Sequence, residues 1–254
     1  MASRLALLHD LDPEWAKQKV VPLLDWSIPE EAKGAWQGFL CFPWIRPSLW
    51  EAIRTPFLQA FDHLDALGPS KRNLAGLLPS IAIEGQDAIS PREAAECLQK
   101  LGNEGRESVV IWIRRKLEGA EAQAASLWRD QIQPWLNKAW PKESLFRVSR
   151  VSVELAWAAT LAREAFAEAV ACVVQFVGPI ERGEMILHAM QEPGLVEAEP
   201  SACLELINAL TPDEPSYWFG DLGNFLDRVQ SVSPRLTQDT RFRRLQDIAI
   251  RIGR

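Results

Sequence analysis

Val109-Val110-Ile111-Trp112-Ile113-Arg114-Arg115-Lys116-Leu117-Glu118 is the stretch on which the fold class turns. Five consecutive apolar residues suit a buried strand as well as a helix, because an unbroken apolar run has no period. The residues that follow decide between them. Leu117 continues the helical face of Val110 and Ile113 through the charged run. The stretch therefore reads as a helix with a basic end, where Arg114, Arg115 and Lys116 suit the negative end of the helix dipole. Elsewhere strand signals are weak, and Asn-Gly and Asp-Gly hairpin turns are absent. An all-α chain follows.

Outward from this stretch the apolar spacing stays helical. Trp50, Ile53, Phe57, Phe61 and Leu64 advance in steps of three and four. Pro56 interrupts that run, predicting a kink or a restart with Thr55 as cap. Trp218, Leu222, Phe225, Leu226 and Val229 repeat the pattern, as do Phe242, Leu245, Ile248, Ala249 and Ile252. The Ala-rich block 151–177 reads as one or two buried helices. Ser90-Pro91-Arg92-Glu93 is a helix start, with a cap hydroxyl, a proline in the first helical position and an acid in the first turn. Thr211-Pro212-Asp213-Glu214 has the same form, and Ile28-Pro29-Glu30-Glu31 has it without the hydroxyl.

The 17 prolines recur at helix-length intervals, which predicts many helices of roughly 10 to 18 residues joined by short turns. Such punctuation points to an irregular α-solenoid or a helical-repeat-like stack of antiparallel helix pairs. Pro43-Trp44-Ile45 and Pro134-Trp135-Leu136, each near a second tryptophan (Trp50, Trp140), are a faint internal echo. We read 1–254 as a single helical domain, with a soft division at Trp140-Pro141-Lys142-Glu143 into 1–143 and 144–254.

Composition narrows the setting. A hydrophobic fraction of 47% and a charged fraction of 24% are those of a globular protein long enough to bury a sizeable core. The net charge of −6 argues against coating nucleic acid or an anionic membrane by charge alone. No apolar run is long enough to span a bilayer, and the N-terminus meets an acid too early for a signal peptide, so a cytoplasmic location is expected. Cys41, Cys97, Cys172 and Cys203 are scattered singly and read as small buried residues in a reducing compartment.

Catalytic patterns are missing from the sequence. His9, His63 and His188 stand apart from one another and from every cysteine. His9-Asp10-Leu11-Asp12-Pro13-Glu14 gathers potential metal ligands, but acids at such a place usually mark a helix start. Neither a Gly-x-Ser-x-Gly elbow nor a Ser-x-x-Lys pair occurs, and phosphate-loop spacing is absent. Gly102-Asn103-Glu104-Gly105 and Gly220-Asp221-Leu222-Gly223 read as turns between helices. Glu84 and Glu154 are the carboxylates best placed for partial burial. We assign no catalytic residue, cofactor or metal ligand, and read the chain as a non-enzyme.

Interaction candidates remain. Trp15, Trp26, Trp36, Trp44 and Trp50 fall within 36 residues. Most should be wedges between helices. Trp44, between Pro43 and the Ile45-Arg46-Pro47 turn, is the exposed candidate, with Arg46 and Trp50 beside it. Charge is uneven as well: 181–236 carries 10 acids against 3 basic residues, and 238–254 carries 5 Arg against 2 Asp. On a helical wheel Arg243, Arg244, Arg251 and Arg254 share one side, with Asp247 among them. This is either a solvated face beside the acidic region or an anion- or partner-binding patch. Together with Arg114, Arg115 and Lys116 it is the basis of a nucleic-acid-binding alternative, which the net charge disfavours.

Several segments carry a resemblance. They are Ala35-Trp36-Gln37-Gly38-Phe39-Leu40 leading into Pro43-Trp44-Ile45-Arg46-Pro47-Ser48-Leu49-Trp50, then 106–140, then Pro212-Asp213-Glu214-Pro215 through Trp218 to Pro234-Arg235-Leu236. They resemble the helical C-terminal region of large bacterial proteins with a sirtuin-like N-terminal domain, associated with defence against phage. The resemblance implies that the sirtuin-like part is the NAD-consuming effector and the helical part senses, scaffolds or regulates. It transfers no NADase residue to this chain, which would be an excised C-terminal region or a stand-alone relative. The function expected is a non-catalytic scaffold or sensor module that binds a protein partner or another domain of a larger chain. The alternatives are nucleic-acid binding through the basic clusters near Arg114 and Arg243, and an all-α enzyme assembled from distant carboxylates.

Overall fold

The computed structural model describes residues 2–85, 88–191, 194–214 and 221–252, and these are helical with no strand. Pro215, Trp218, Gly220 and Arg254, which the sequence reading used, lie outside the described residues. The chain divides into two compact units, Met1–Val109 and Val110–Arg254.

The first unit begins with two short helices, α1 (Leu5–Leu11) and α2 (Pro13–Lys19). Then come α3 (Pro29–Cys41), α4 (Pro47–Ala60), α5 (Leu64–Leu67), α6 (Lys71–Glu84) and α7 (Pro91–Lys100). Local chemistry sets most of their starts. The Asp12 carboxylate accepts from the Trp15 backbone N–H at 3.0 Å and caps α2. Ser90 and Glu93 form a complete capping box with Pro91 in the first turn of α7. Pro29 and Pro47 each open a helix where a missing N–H costs nothing.

Helix α4 departs from expectation. It runs through Pro56 without a restart at Thr55. Leu49, Trp50, Ile53, Phe57 and Ala60 on its apolar face are all buried, and that burial outweighs the hydrogen bond that Pro56 cannot donate. Nine of the described α-helices have the expected 10 to 18 residues, and eight, α1, α2 and α5 among them, are shorter, at 4 to 8 residues.

Helix α8 (Asn103–Ala120) contains the division between the units, and the ambiguous stretch at 109–118 lies inside it. The helix continues four residues beyond Lys116, so Arg114, Arg115 and Lys116 are mid-helix and do not form its basic end. The second unit continues with α9 (Ala124–Leu127), α10 (Gln133–Ala139), α11 (Ser149–Thr160) and α12 (Phe166–Val173). A π-helical segment, Trp128–Ile132, joins α9 to α10. There the Gln133 N–H donates five residues back to Trp128, immediately before Pro134, which has no N–H to give. After these come α13 (Glu184–Gln191), α14 (Leu195–Ala198), α15 (Pro200–Leu210), α16 (Leu222–Val232) and α17 (Thr240–Ile252).

The Ala-rich block forms two buried helices, and α12 sits among α10, α11 and α15. Its Phe166, Ala169, Val170, Cys172 and Val173 are buried, as a helix enclosed by others requires. Beyond α12 the chain passes close under α11. Ser152 Oγ accepts from the Gly178 N–H at 2.9 Å, and Gly178 lies so near Arg147 that an added Cβ would stand 2.8 Å from its carbonyl oxygen.

Thr211 corrects a second expectation. It ends a helix rather than starting one: its N–H and hydroxyl both return to the Ile207 carbonyl, the hydroxyl at 2.7 Å. Three cysteines are buried, and burial pushes the Cys97 and Cys203 thiols up to about 12 and Cys172 to about 11. Cys41 differs from expectation in being exposed at the end of α3. Among the described residues no helix is long and apolar enough to cross a membrane.

The Gly178 contact supplies a test. Gly178→Ala should destabilise the chain by about 1–3 kcal/mol, because the new methyl must displace backbone. Gly119→Ala in α8, whose added Cβ meets nothing within 4 Å, should be neutral or slightly stabilising. Urea unfolding of both variants against the parent measures the difference.

Candidate functional site

Between α3 and α4 the chain has no helix, and two prolines shape what it does there. Arg46, preceding Pro47, is held extended at φ −96°, ψ 159°. Phe42 caps α3 with φ −142°. This five-residue link, 42–46, presents its aromatic residues outward: Phe42 is 76% exposed and Trp44 63%. Trp50, one helical turn into α4, is buried and meets Phe57 edge-on at 5.3 Å. Of the three residues that the sequence grouped here, the structure exposes Trp44 and places Trp50 beneath it.

Arg46 connects this link to α1. Its guanidinium carbon lies 4.8 Å from the centre of the Trp44 ring, and its Nη2 reaches Asp10 Oδ2 at 3.3 Å. Leu7, Asp10 and Leu11 share one face of α1 by their three- and four-residue spacing, and both leucines are exposed. Exposed apolar residues thus stand close in sequence to each partner of this ion pair, Leu7 and Leu11 to Asp10, Phe42 and Trp44 to Arg46. The N-terminal residues that resembled a ligand cluster have separate roles: His9 turns inward and is buried, Asp10 meets Arg46, and Asp12 caps α2. Among the described residues no three His, Cys, Asp or Glu side chains gather as metal ligands would.

Beside Trp44 opens a groove of about 590 Å³, within the size range of ligand pockets. Trp44, Trp50, Leu77 and Ile81 line it, and Glu51 and Glu84 add acidic groups. Glu84, expected to be half-buried, is exposed at the end of α6. The 88–93 segment is tied to α4 through Arg54, which donates to the Ala88 carbonyl at 3.3 Å and pairs with Glu93 at 2.6 Å. A larger depression of about 750 Å³ lies along 61–66 and 100–105. Its charges are largely spent on one another. Asp62 pairs with Lys100 at 2.5 Å and Glu104 with Arg72 at 2.9 Å, while His63 stacks on Trp26 at 4.2 Å.

The basic candidates are mostly engaged inside the second unit. Arg114 is half-buried, donates to Glu154 at 2.7 Å, pairs with Glu118, and lies over Trp157. Those carboxylates hold its guanidinium more firmly protonated, against the opposing effect of burial. Arg115 and Lys116 are exposed on the same helix. Arg244 donates to the Asn208 and Thr211 carbonyls at 3.3 and 2.8 Å and to the Asp213 carboxylate at 2.8 Å. Arg251 adds a bond to the Asp213 carbonyl at 3.1 Å. These two arginines therefore satisfy the open carbonyl end of α15 and the residues beyond it. Arg243 is exposed and donates to Gln238.

Sequence reasoning found the tryptophan and missed its surroundings. Leu77 and Ile81 stand more than thirty residues after Trp44, and Asp10 more than thirty before it. No local spacing announces either.

No protein family matches the chain, and no solved structure matches it. An uncharacterized protein of Sinorhizobium fredii, y4cA, is 27% identical over 165 residues. That alignment covers 64% of this chain and 14% of the relative, which is therefore several times longer.

The Arg54–Glu93 link beside the groove is sensitive to pH. Glu93 is held below its ordinary value of 4.5 by the Ser90 backbone N–H first, then by the Ser90 hydroxyl and Arg54. Its contribution is complete above that ordinary value and is lost as pH falls through the lower folded value. Between about pH 5 and about pH 3 the parent should lose more stability than Glu93→Gln, whose profile should be flatter. Urea midpoints across that range provide the check.

Proposed function

We propose that this chain is a non-catalytic helical interaction module that docks a protein partner on the Trp44 groove. The single observation carrying this is the exposure of Trp44, at 63%, in a chain whose Trp26, Trp36, Trp50, Trp128, Trp135 and Trp140 are each 7% exposed or less. An open tryptophan beside an arginine and further apolar side chains is the composition of a binding hot spot. Several candidate arginines have internal partners, which weighs against the nucleic-acid alternative.

The finer architecture we propose is an irregular α-solenoid or helical-repeat-like stack. In the second unit α11 packs on α12 and α13, α14 on α15, and α16 on α17; these neighbour pairs support it, alongside the longer-range packing of α12 on α15 and of α15 on α17. We also propose that the module serves as a scaffold or sensor region within a larger bacterial anti-phage defence assembly. The resemblance to the helical region of sirtuin-like defence proteins supports that setting. The match to a short part of a much longer protein agrees with a modular role. The partner is then another protein or another domain of a longer chain.

Affinity capture of the tagged chain from its source cells tests this. The parent should retain a stoichiometric protein partner. Trp44→Ala should weaken that retention by about thirtyfold, the ~2 kcal/mol of a hot-spot tryptophan, while leaving the unfolding midpoint unchanged. Arg243→Ala should retain the partner as the parent does. Equal capture by Trp44→Ala and the parent would remove the groove from the proposal.

A further inference from the structure

We infer that the occupant of the Trp44 groove is an extended, proline-containing peptide segment with a Lys or Arg beside its prolines. The inference rests on the interaction reading above and adds the chemistry of the partner.

The indole is the first argument. Arg46 covers one face of the Trp44 ring at 4.8 Å, yet the ring is 63% exposed, so its opposite face and its edge are open. A flat apolar face of this kind takes a proline ring well. Proline surrenders no side-chain rotamer freedom on burial, whereas leucine or methionine does. Aromatic-lined grooves receive proline-rich segments elsewhere by the same logic.

The indole N–H is the second. A tryptophan that becomes covered needs an acceptor for Nε1, and among the described residues Trp44 Nε1 donates to none. A polyproline-type segment leaves every backbone carbonyl without an internal partner, so it brings an acceptor to the ring edge. The interior carbonyls of an α-helix are already engaged in the helix's own bonds, so a helical occupant offers the indole fewer open backbone acceptors.

Charge is the third. Glu51 lines the groove, while the Arg46 charge is answered by Asp10. The groove therefore selects a cationic residue flanking the prolines. The walls suit such a segment too. Pro43 and Pro47 stiffen the link that carries Trp44, so little ordering of the protein is required on binding.

Arrays of about ten-residue peptides probed with the full purified chain decide the matter. One set fixes two prolines and a Lys or Arg with the other positions varied. A second replaces the cation by Glu, and a third is helix-forming Leu/Lys sequence without proline. The parent should bind members of the basic proline set, with Trp44→Ala reducing the signal by about tenfold or more. Glu51→Lys should move the preference towards the acidic proline set. Binding confined to the helix-forming set, equal binding of the acidic and basic proline sets by the parent, a signal indifferent to Trp44→Ala, or no binding to any set overturns the inference. Partner capture that depends on Trp44 would survive each of these results, so failure here is separable from failure of the interaction reading.

Discussion

Trp36 holds the first unit together. It is fully buried in α3, its ring meets Phe39 at 5.7 Å and Phe57 at 6.3 Å, and its Nε1–H donates to the Leu24 carbonyl at 3.0 Å. Leu24 ends the short turn Val21–Leu24, where a carbonyl would otherwise be left without a partner. One side chain thus fixes the N-terminal segment against α3 and α3 against α4. A helix of 14 residues is marginal alone in water, so α4 exists here because this aromatic cluster buries its apolar face. Phe57 extends the same packing to Trp50 and Phe61 on either side of it along α4. Through Trp50 the cluster reaches the floor of the groove. The position of the exposed link 42–46 therefore depends on a ring buried in the helix before it.

The features that were legible in the sequence are those decided within a few residues. Ser90 and Glu93 exchange hydrogen bonds three positions apart, and Asp12 caps across the same distance. Thr211-Pro212-Asp213-Glu214 has the same spelling as the α7 start and does the opposite. The difference lies far away in the chain. Arg244, thirty-three positions later, takes the Thr211 carbonyl, and the Thr211 hydroxyl turns back to Ile207. The basic run in α8 lies mid-helix for a related reason. Its dipole argument was sound for a helix end, but Glu154, forty positions on, pairs with Arg114 and makes a mid-helix site acceptable. At Pro56 local strain predicts a break, and the buried face of α4 overrides it.

Charge counts were the weakest guide to the site. Five arginines against two aspartates in 238–254 look like a patch awaiting an anion. In the fold Arg244 and Arg251 serve the open end of α15, and Arg241 pairs with Asp239 at 2.7 Å. The acidic surplus in 181–236 supplies part of what they hold, notably Asp213, whose carboxyl lies below its ordinary value because Arg244 donates to it. Sequence shows how many charges a segment has, whereas tertiary pairing determines how many remain available to a partner.

Trp44 is the opposite case, a residue whose local context was sufficient. Proline on both sides of a three-residue stretch prevents α3 from continuing and delays α4, so the indole between them has no helix face to join. Leaving a ring of that size in water forgoes on the order of 3 kcal/mol of burial. A chain that hides most of its other tryptophans could have hidden this one by extending either helix. Phe42, in the same link, repeats the exposure at 76%, and Leu11, next to the Asp10 that pairs with Arg46, does so at 74%. Among the described residues the Arg46 guanidinium over the ring offsets part of that cost, and the remainder is what the proposed partner would recover.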